Sequence, residues 1–117
     1  MNALILTTLS VALLGTTVQA AAAGDPAAGQ SAWERQVPAR DGAPRSCATC
    51  HGSDPRQPGK HQRTGKAIAA MAPSVEAERF SDPARENKWF TRNCKWTWGR
   101  LCTADEQADI KAYLYSF

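Results

Sequence analysis

The first clear pattern of apolar and polar positions begins at Asp25 and predicts a helix. Asp25 precedes Pro26, and Asp is a good N-cap while Pro suits the first helical turn. The helix should stop before Pro38, because proline cannot continue it. Trp33 lies on the apolar face that this spacing predicts.

A second strong pattern lies at the other end of the chain. Thr103 and Glu106 have the spacing of a capping box, which marks a helix N-terminus. Ile110, Leu114 and Phe117 then recur at i, i+4 and i+7, so the helix has one apolar stripe. We expect the first and last helices to cross, with the tryptophan of the first packed against this stripe.

The middle of the chain predicts one more long helix and a surface loop. The Ser-Asp-Pro run at 81–83 is a strong helix start, and the helix places Trp89, Phe90 and Asn93 on one broad face. Residues 52–66 are rich in Gly, Pro and basic residues, which is typical of an exposed loop. No segment is typical of a strand, so the expected fold class is all-α.

The charge of the chain excludes one large class of function. The chain has 117 residues and a formal net charge of +3. This excess is mild, acidic residues are interspersed among the basic ones, and there is no basic stripe with interleaved aromatic residues of the kind that single-strand binders use. We therefore expect no nucleic-acid partner.

The run SCATCHG contains the C-x-x-C-H pattern, formed by Cys47, Cys50 and His51. This is the attachment pattern of a c-type haem: two cysteines bond to the porphyrin edge and the histidine is the proximal iron ligand. A redox C-x-x-C usually follows a strand of a βαβ unit, which is not indicated here. A zinc site needs two more ligands, and the spacing of Cys94 and Cys102 fits no common zinc knuckle. The sequence thus predicts one haem c per chain rather than a haem-free zinc or structural module.

The start of the chain predicts export. Residues 1–20 carry no charged side chain and are mostly apolar, with small residues at Val18 and Ala20, as signal peptidase requires. Threonines interrupt the apolar run, which is shorter than the ~20 residues of a membrane-spanning helix. We expect 1–20 to be a signal peptide, with cleavage after Ala22 as the near alternative. Residues 21–117 would then be one periplasmic domain that is not embedded in a membrane.

The residues alone leave the sixth iron ligand open. Met71 offers the thioether that is usual in low-spin electron carriers, but it follows His51 sooner than in ordinary small cytochromes, and a single Met in an apolar stretch is commonly a core residue. His61 lies in the basic loop shortly after His51. Its position makes it hard to bring to the opposite haem face, and an exposed loop histidine is the simpler interpretation.

A third candidate comes from a resemblance. The runs PGKHQRTGKAIAAMAPSV, RFSDPARENKWFTRNC and GRLCTADEQADIKAYL are similar to the sphaeroides haem protein family, which is also described by a domain of unknown function with the same layout. The resemblance covers roughly residues 45–115, and its most specific part is 89–94 with a partner cysteine at Cys102. It implies a small cytochrome c fold, with N- and C-terminal helices packed around a covalently bound haem.

The resemblance also implies a function. In that family an asparagine directly before the first of the two later cysteines is the distal iron ligand in the oxidised state, and Asn93 occupies that place. The related cytochrome c-double-prime has a histidine there. An amide oxygen is a hard, weak ligand that suits ferric better than ferrous iron. Reduction should then leave a high-spin haem that binds O₂ or NO. The alternative is a low-spin electron carrier with Met71 as sixth ligand.

The same resemblance suggests redox partners, namely a dihaem cytochrome c or a membrane cytochrome b. The protein would then take part in electron transfer and gas binding rather than act as a dedicated enzyme. With the first cysteine pair assigned to haem, Cys94 and Cys102 should form a disulfide in an oxidising compartment. Lys60, Arg63 and Lys66 would either hold the haem propionates, form a docking patch, or be solvated loop charges.

Overall fold

Helices dominate the structure, a computed structural model that describes residues 23–38 and 42–117. The helices of this part of the chain are α1 (Pro26–Glu34), α2 (Cys47–His51), α3 (Pro83–Trp98) and α4 (Ala104–Tyr115). Two short strands, β1 (Gly59–Lys60) and β2 (Ala67–Ile68), pair in antiparallel register. Within the described residues, no helix is long and apolar enough to cross a membrane. The predicted signal peptide, residues 1–20, lies outside the described residues.

Helix α1 begins where the sequence predicts and ends earlier. The Asp25 carboxylate accepts a hydrogen bond from the Ala27 N–H at 2.9 Å, which caps the first turn. The helix ends at Glu34, several residues before Pro38. The reason is a competing interaction, because the backbone of Val37 exchanges hydrogen bonds of 2.8 and 3.0 Å with that of Arg45 and must be extended to do so.

The predicted starts of α3 and α4 are confirmed. Asp82 accepts hydrogen bonds from the N–H groups of Ala84 and Arg85 at 3.0 and 3.1 Å. Thr103 and Glu106 form a reciprocal capping box at distances of 3.1 and 2.9 Å. These local bonds satisfy backbone N–H groups that a helix leaves without partners at its N-terminus, and they set where each helix points.

The core is built on the crossing of α1 and α4, as predicted. A Cβ atom at Gly29 would collide with the Asp109 carbonyl and the Tyr113 side chain, so the two helices touch backbone to backbone. The Asp25 N–H also donates to the Asp109 carboxylate at 2.7 Å. The buried hydrophobic cluster at this crossing consists of Ala32, Trp33, Cys94, Trp98, Cys102, Ile110, Tyr113 and Leu114.

The expectation of no strand is wrong. Residues 52–66 were expected to form an exposed loop, but β1 lies within them and pairs with β2. The His61 N–H donates to the Lys66 carbonyl at 2.8 Å, and Gly65 closes the turn with a φ of 68°, which glycine adopts without strain. Pro55 of this segment is fully buried. The hairpin is small, and the other regular elements of the described chain are helices.

The close crossing makes a stability prediction. We expect Gly29→Ala to lower the free energy of unfolding by about 1–3 kcal/mol, the usual cost of overpacking, because α4 leaves no room for a methyl group. Gln30→Ala, on the exposed side of α1, is the matched control and should change stability by no more than about 0.5 kcal/mol. Urea denaturation measures the free energy of unfolding of both variants. A Gly29→Ala protein as stable as the parent would contradict the close backbone contact between α1 and α4.

Candidate haem-binding site

A cavity of about 1140 Å³ opens against the hydrophobic core. Small-molecule pockets typically span about 300–1,000 Å³, so this cavity has room for a large prosthetic group. Helix α2 packs against α1 and β1. Residues of both α2 and α3 line the cavity. Lining residues from these two helices include Cys47, Cys50, His51, Trp89, Phe90 and Asn93.

Helix α2 places the cysteines and the histidine together on the cavity wall. The Ser46 side chain caps the helix by accepting a hydrogen bond from the Thr49 N–H at 3.2 Å. The Thr49 hydroxyl in turn accepts one from the Ser46 N–H at 2.9 Å. Cys47 and Cys50 are neighbours at i and i+3, and His51 is one turn after Cys47. Both cysteines are half-buried free thiols. The helix thus presents two sulfur atoms and an imidazole to one ligand.

The state of the sulfur atoms disfavours the redox and zinc interpretations. Burial raises the pKa of the Cys47 thiol to about 11, whereas redox cysteines and zinc ligands react as thiolates with lowered pKa values. Cys94 and Cys102 form the expected disulfide, which removes them as thiolate ligands. Among the described residues, no group of three or more His, Cys, Asp or Glu side chains is placed to hold a metal ion.

The His51 imidazole suits iron binding. Burial lowers the pKa of His51 to about 4, and the positive charge of Arg79 acts in the same direction, so the ring is neutral, the form that binds metals. Trp33 lies beside it, with ring centroids 5.4 Å apart, and donates from its indole N–H to the Gly52 carbonyl at 3.0 Å. Within the described chain the Nδ1 atom of His51 is buried without a hydrogen-bond partner. These residues fit a haem c.

All three candidate sixth ligands, Met71, His61 and Asn93, line this cavity. The three residues differ in their hydrogen bonds and packing contacts with the rest of the chain. The Asn93 side chain projects from α3, is exposed, and makes no hydrogen bond to any described residue. Asn93 is therefore the candidate whose side chain is not engaged elsewhere.

Met71 is tied to the His51 side of the cavity. Its N–H donates to the Pro55 carbonyl at 2.8 Å, and the next residue, Ala72, donates to the same carbonyl at 3.0 Å. Pro55 belongs to the segment that directly follows α2. The Met71 side chain also packs against the hydrophobic core, as a structural methionine does.

His61 is held near the cysteines. Its Nδ1 atom accepts hydrogen bonds from the N–H groups of Arg63 and Thr64 at 3.3 and 3.2 Å. The N–H of the next residue, Gln62, donates to the Cys50 sulfur at 3.3 Å. This places the His61 turn beside Cys50, one of the two attachment cysteines.

The sequence analysis missed two cavity residues, Arg45 and Trp96. The Arg45 guanidinium lies 3.8 Å from the centroid of the Trp96 ring, and only 8% of Arg45 is exposed. No periodic pattern could have found this pair, because the contact joins residues that are distant in sequence. Of the three basic loop residues that the sequence suggested, Arg63 and Lys66 line the cavity. Lys60 lies on β1 and is not part of the lining.

Taken together, a haem-attachment pattern on a short helix, a neutral buried histidine and crossed terminal helices around a large cavity define a c-type cytochrome. Residues 19–114 match the family described as a domain of unknown function, DUF1924. The chain belongs to this family.

Known relatives agree with this class. The chain is 52% identical over 69 residues to the cytochrome c-type protein SHP of Cereibacter sphaeroides, an alignment that covers 59% of this chain and 53% of that protein. The chain thus spans about half the length of that relative.

Two solved structures are similar in fold. Oxidised cytochrome c'' from Methylophilus methylotrophus has a TM-score of 0.74 and 33% identity, covering 80% of this chain and 76% of that one. Oxidised SHP, described as an oxygen-binding cytochrome c, has a TM-score of 0.73 and 41% identity, covering 80% and 83%. The predicted small cytochrome c fold and the covalently bound haem c, one per chain, are confirmed.

The attachment residues make the next prediction. The double variant Cys47→Ala, Cys50→Ala should contain no covalent haem, because no other described cysteine is free. Mass spectrometry of the denatured, exported protein measures this, and the expected mass is that of the bare polypeptide. The matched control, Cys94→Ala with Cys102→Ala, should keep the haem. A haem-bearing mass in the first variant would refute the assignment.

Proposed function

We propose that this protein is a periplasmic, high-spin monohaem cytochrome c that binds O₂ or NO at the reduced haem and takes part in electron transfer. Cys47 and Cys50 would hold the haem by thioether bonds, and His51 would be the proximal iron ligand. The observation that carries the proposal is the Asn93 side chain, which lines the same cavity as Cys47, Cys50 and His51 and has no hydrogen bond within the described chain.

When bound, the haem supplies an iron that exchanges one electron and can take a small ligand at its sixth position. The protein determines which side chain is available at that sixth position. From α3, Asn93 offers a neutral amide whose oxygen is a hard donor, which ferric iron accepts and ferrous iron holds weakly. Its NH₂ group is a hydrogen-bond donor. One side chain can therefore close the site in the oxidised protein and assist a gas molecule in the reduced one.

The contacts of the rival side chains support this choice. Met71 is held through Pro55 to the segment that follows His51, and His61 is held beside Cys50. A sixth ligand must come from the cavity lining, and of the three candidates Asn93 is the one on α3, which also contributes Trp89 and Phe90 to that lining. SHP, a relative with 41% identity, is described as an oxygen-binding cytochrome c, which supports O₂ as a ligand of this chain.

The disulfide gives two further arguments. Cys94 directly follows Asn93 and is joined to Cys102 with a Cα–Cα distance of 5.6 Å, and both cysteines are buried in the core. The bridge therefore fixes the backbone beside Asn93 to the segment before α4. Disulfides persist in oxidising compartments, so the bridge also supports export to the periplasm.

The sixth ligand is tested by two substitutions. Asn93→Ala should keep the haem but open the ferric site to water or small anions, which changes the ferric absorption spectrum. Loss of one hydrogen bond, worth about 0.5–1.5 kcal/mol, should change the ferrous O₂ off-rate by about two- to tenfold. Met71→Ala is the matched comparison, and its ferric spectrum should equal that of the parent. The opposite pattern would leave a low-spin electron carrier with Met71 as ligand.

The bridge is tested separately. Cys94→Ala with Cys102→Ala should lower the free energy of unfolding by about 2.5 kcal/mol, from the short loop that the bridge closes. If the bridge also positions Asn93, the ferric spectrum of this variant should move toward that of Asn93→Ala. A less stable variant with the parent's ferric spectrum would show that the bridge is a structural staple and has no part in ligation.

A further inference from the structure

One residue of the cavity lining has a backbone conformation that its side chain does not favour. Phe80 has a φ of 63° and is the only residue other than glycine with a positive φ in the described part of the chain. Large side chains rarely adopt this left-handed region, because the Cβ atom comes too close to the following carbonyl oxygen. A glycine would make the same turn without strain, so the aromatic side chain must compensate through its contacts.

Hydrogen bonds on both sides of Phe80 hold this turn. The Arg79 guanidinium donates to the Ala70 carbonyl at 2.6 Å, and the Ser81 hydroxyl donates to the Glu78 carbonyl at 2.8 Å. The surrounding structure therefore imposes the strained conformation, and it fixes the direction in which the Phe80 side chain leaves the backbone. Strained residues that are held in this way cluster at functional sites.

Three side chains lie against the Phe80 ring. Phe90 of α3 is stacked on it, with ring centroids 6.5 Å apart and planes 18° apart, and Tyr115 of α4 lies 5.8 Å from it. The Lys111 ammonium lies 5.3 Å from the ring centroid and also donates to the Glu86 carboxylate at 2.8 Å. Phe80 and Phe90 line the cavity, whereas Lys111 and Tyr115 do not. The stacked pair is therefore the part of this cluster that a ligand in the cavity can contact.

The aromatic pair adjoins the residue that we propose as the sixth ligand. Phe90 precedes Asn93 by three positions on α3, and side chains with this spacing are neighbours on one helix face. Phe80 extends the apolar surface of Phe90. Both rings are half-buried and pack against the hydrophobic core, where close packing limits their movement. The space beside Asn93 is therefore bounded by two aromatic rings with little freedom to move.

We propose that Phe80, stacked on Phe90, sets the size limit of the ligand pocket beside Asn93. This inference rests on the proposed function, in which reduction opens the sixth iron position. The two rings admit a diatomic molecule such as O₂, NO or CO and exclude a ligand with an alkyl chain. Such a limit is effective, because a single methylene group in an apolar pocket changes binding by about 10–200-fold. Phe80 is thus a specificity-determining residue.

The test compares the binding of CO and of n-butyl isocyanide to the reduced, haem-loaded protein, measured by absorption titration. Both ligands bind ferrous iron, and they differ in length. Phe80→Gly removes the ring and accepts the positive φ, so its affinity for n-butyl isocyanide should rise at least about tenfold while its affinity for CO stays close to that of the parent. Phe117→Ala is the matched control, because it removes a ring that also packs against the core but does not line the cavity. Both of its affinities should equal those of the parent.

A second variant keeps the test decisive. If Phe80→Gly does not fold, Phe80→Leu retains an apolar side chain without the ring, and it should still raise the affinity for n-butyl isocyanide relative to that for CO. A folded variant with the parent's ratio of the two affinities would overturn the size limit and leave Phe80 a packing residue. A reduced parent that binds no CO would contradict the open sixth position itself, and the size limit would fall with it. That failure is distinct, because it is seen before any substitution is made.

Discussion

The backbone contact between α1 and α4 is the constraint on which the site depends. Because Gly29 carries no side chain, α1 lies directly on α4, and Trp33 is 2% exposed at the crossing. Trp33 touches Tyr113 of α4 on one side, with ring centroids 6.1 Å apart, and His51 on the other. Its indole also holds the Gly52 carbonyl. The helix crossing therefore positions the end of α2, and with it the imidazole that faces the cavity.

Each helix contributes different functional groups to the cavity. Helix α2 supplies two thiols and a neutral imidazole, all within five residues. Helix α3, whose Cys94 lies in the core and is bonded to Cys102, contributes Asn93 to the lining of the same cavity. Arg45 and Trp96 line the same cavity. The residues that would attach the haem therefore lie on α2, whereas Asn93, which we propose as the sixth ligand, lies on α3. A substitution at Asn93 can then change the sixth ligand without loss of haem attachment.

The helix starts could be predicted because they depend on local bonds. Asp25, Asp82 and Thr103 each cap a helix by reaching N–H groups two or three residues away, and such spacing is visible in the sequence. The β1–β2 hairpin was missed because strands of two residues show no alternation and form only when a turn brings them together. The Arg45–Trp96 contact was missed because it joins residues 51 positions apart.

The candidate site was partly visible for the same reason. The attachment pattern is local and needed no fold to find it. The tertiary contacts of the three candidate sixth ligands could not be predicted, because the Pro55 carbonyl that anchors Met71 gives no signal in the sequence. The sequence indicates Asn93 through the resemblance to a known family rather than through a local pattern.

The most direct test of the central claim is a crystal structure of the haem-loaded ferric protein. The account predicts that the amide oxygen of Asn93 lies at bonding distance from the iron, opposite the His51 ring. A structure with the Met71 sulfur or a His61 nitrogen in that position would contradict it.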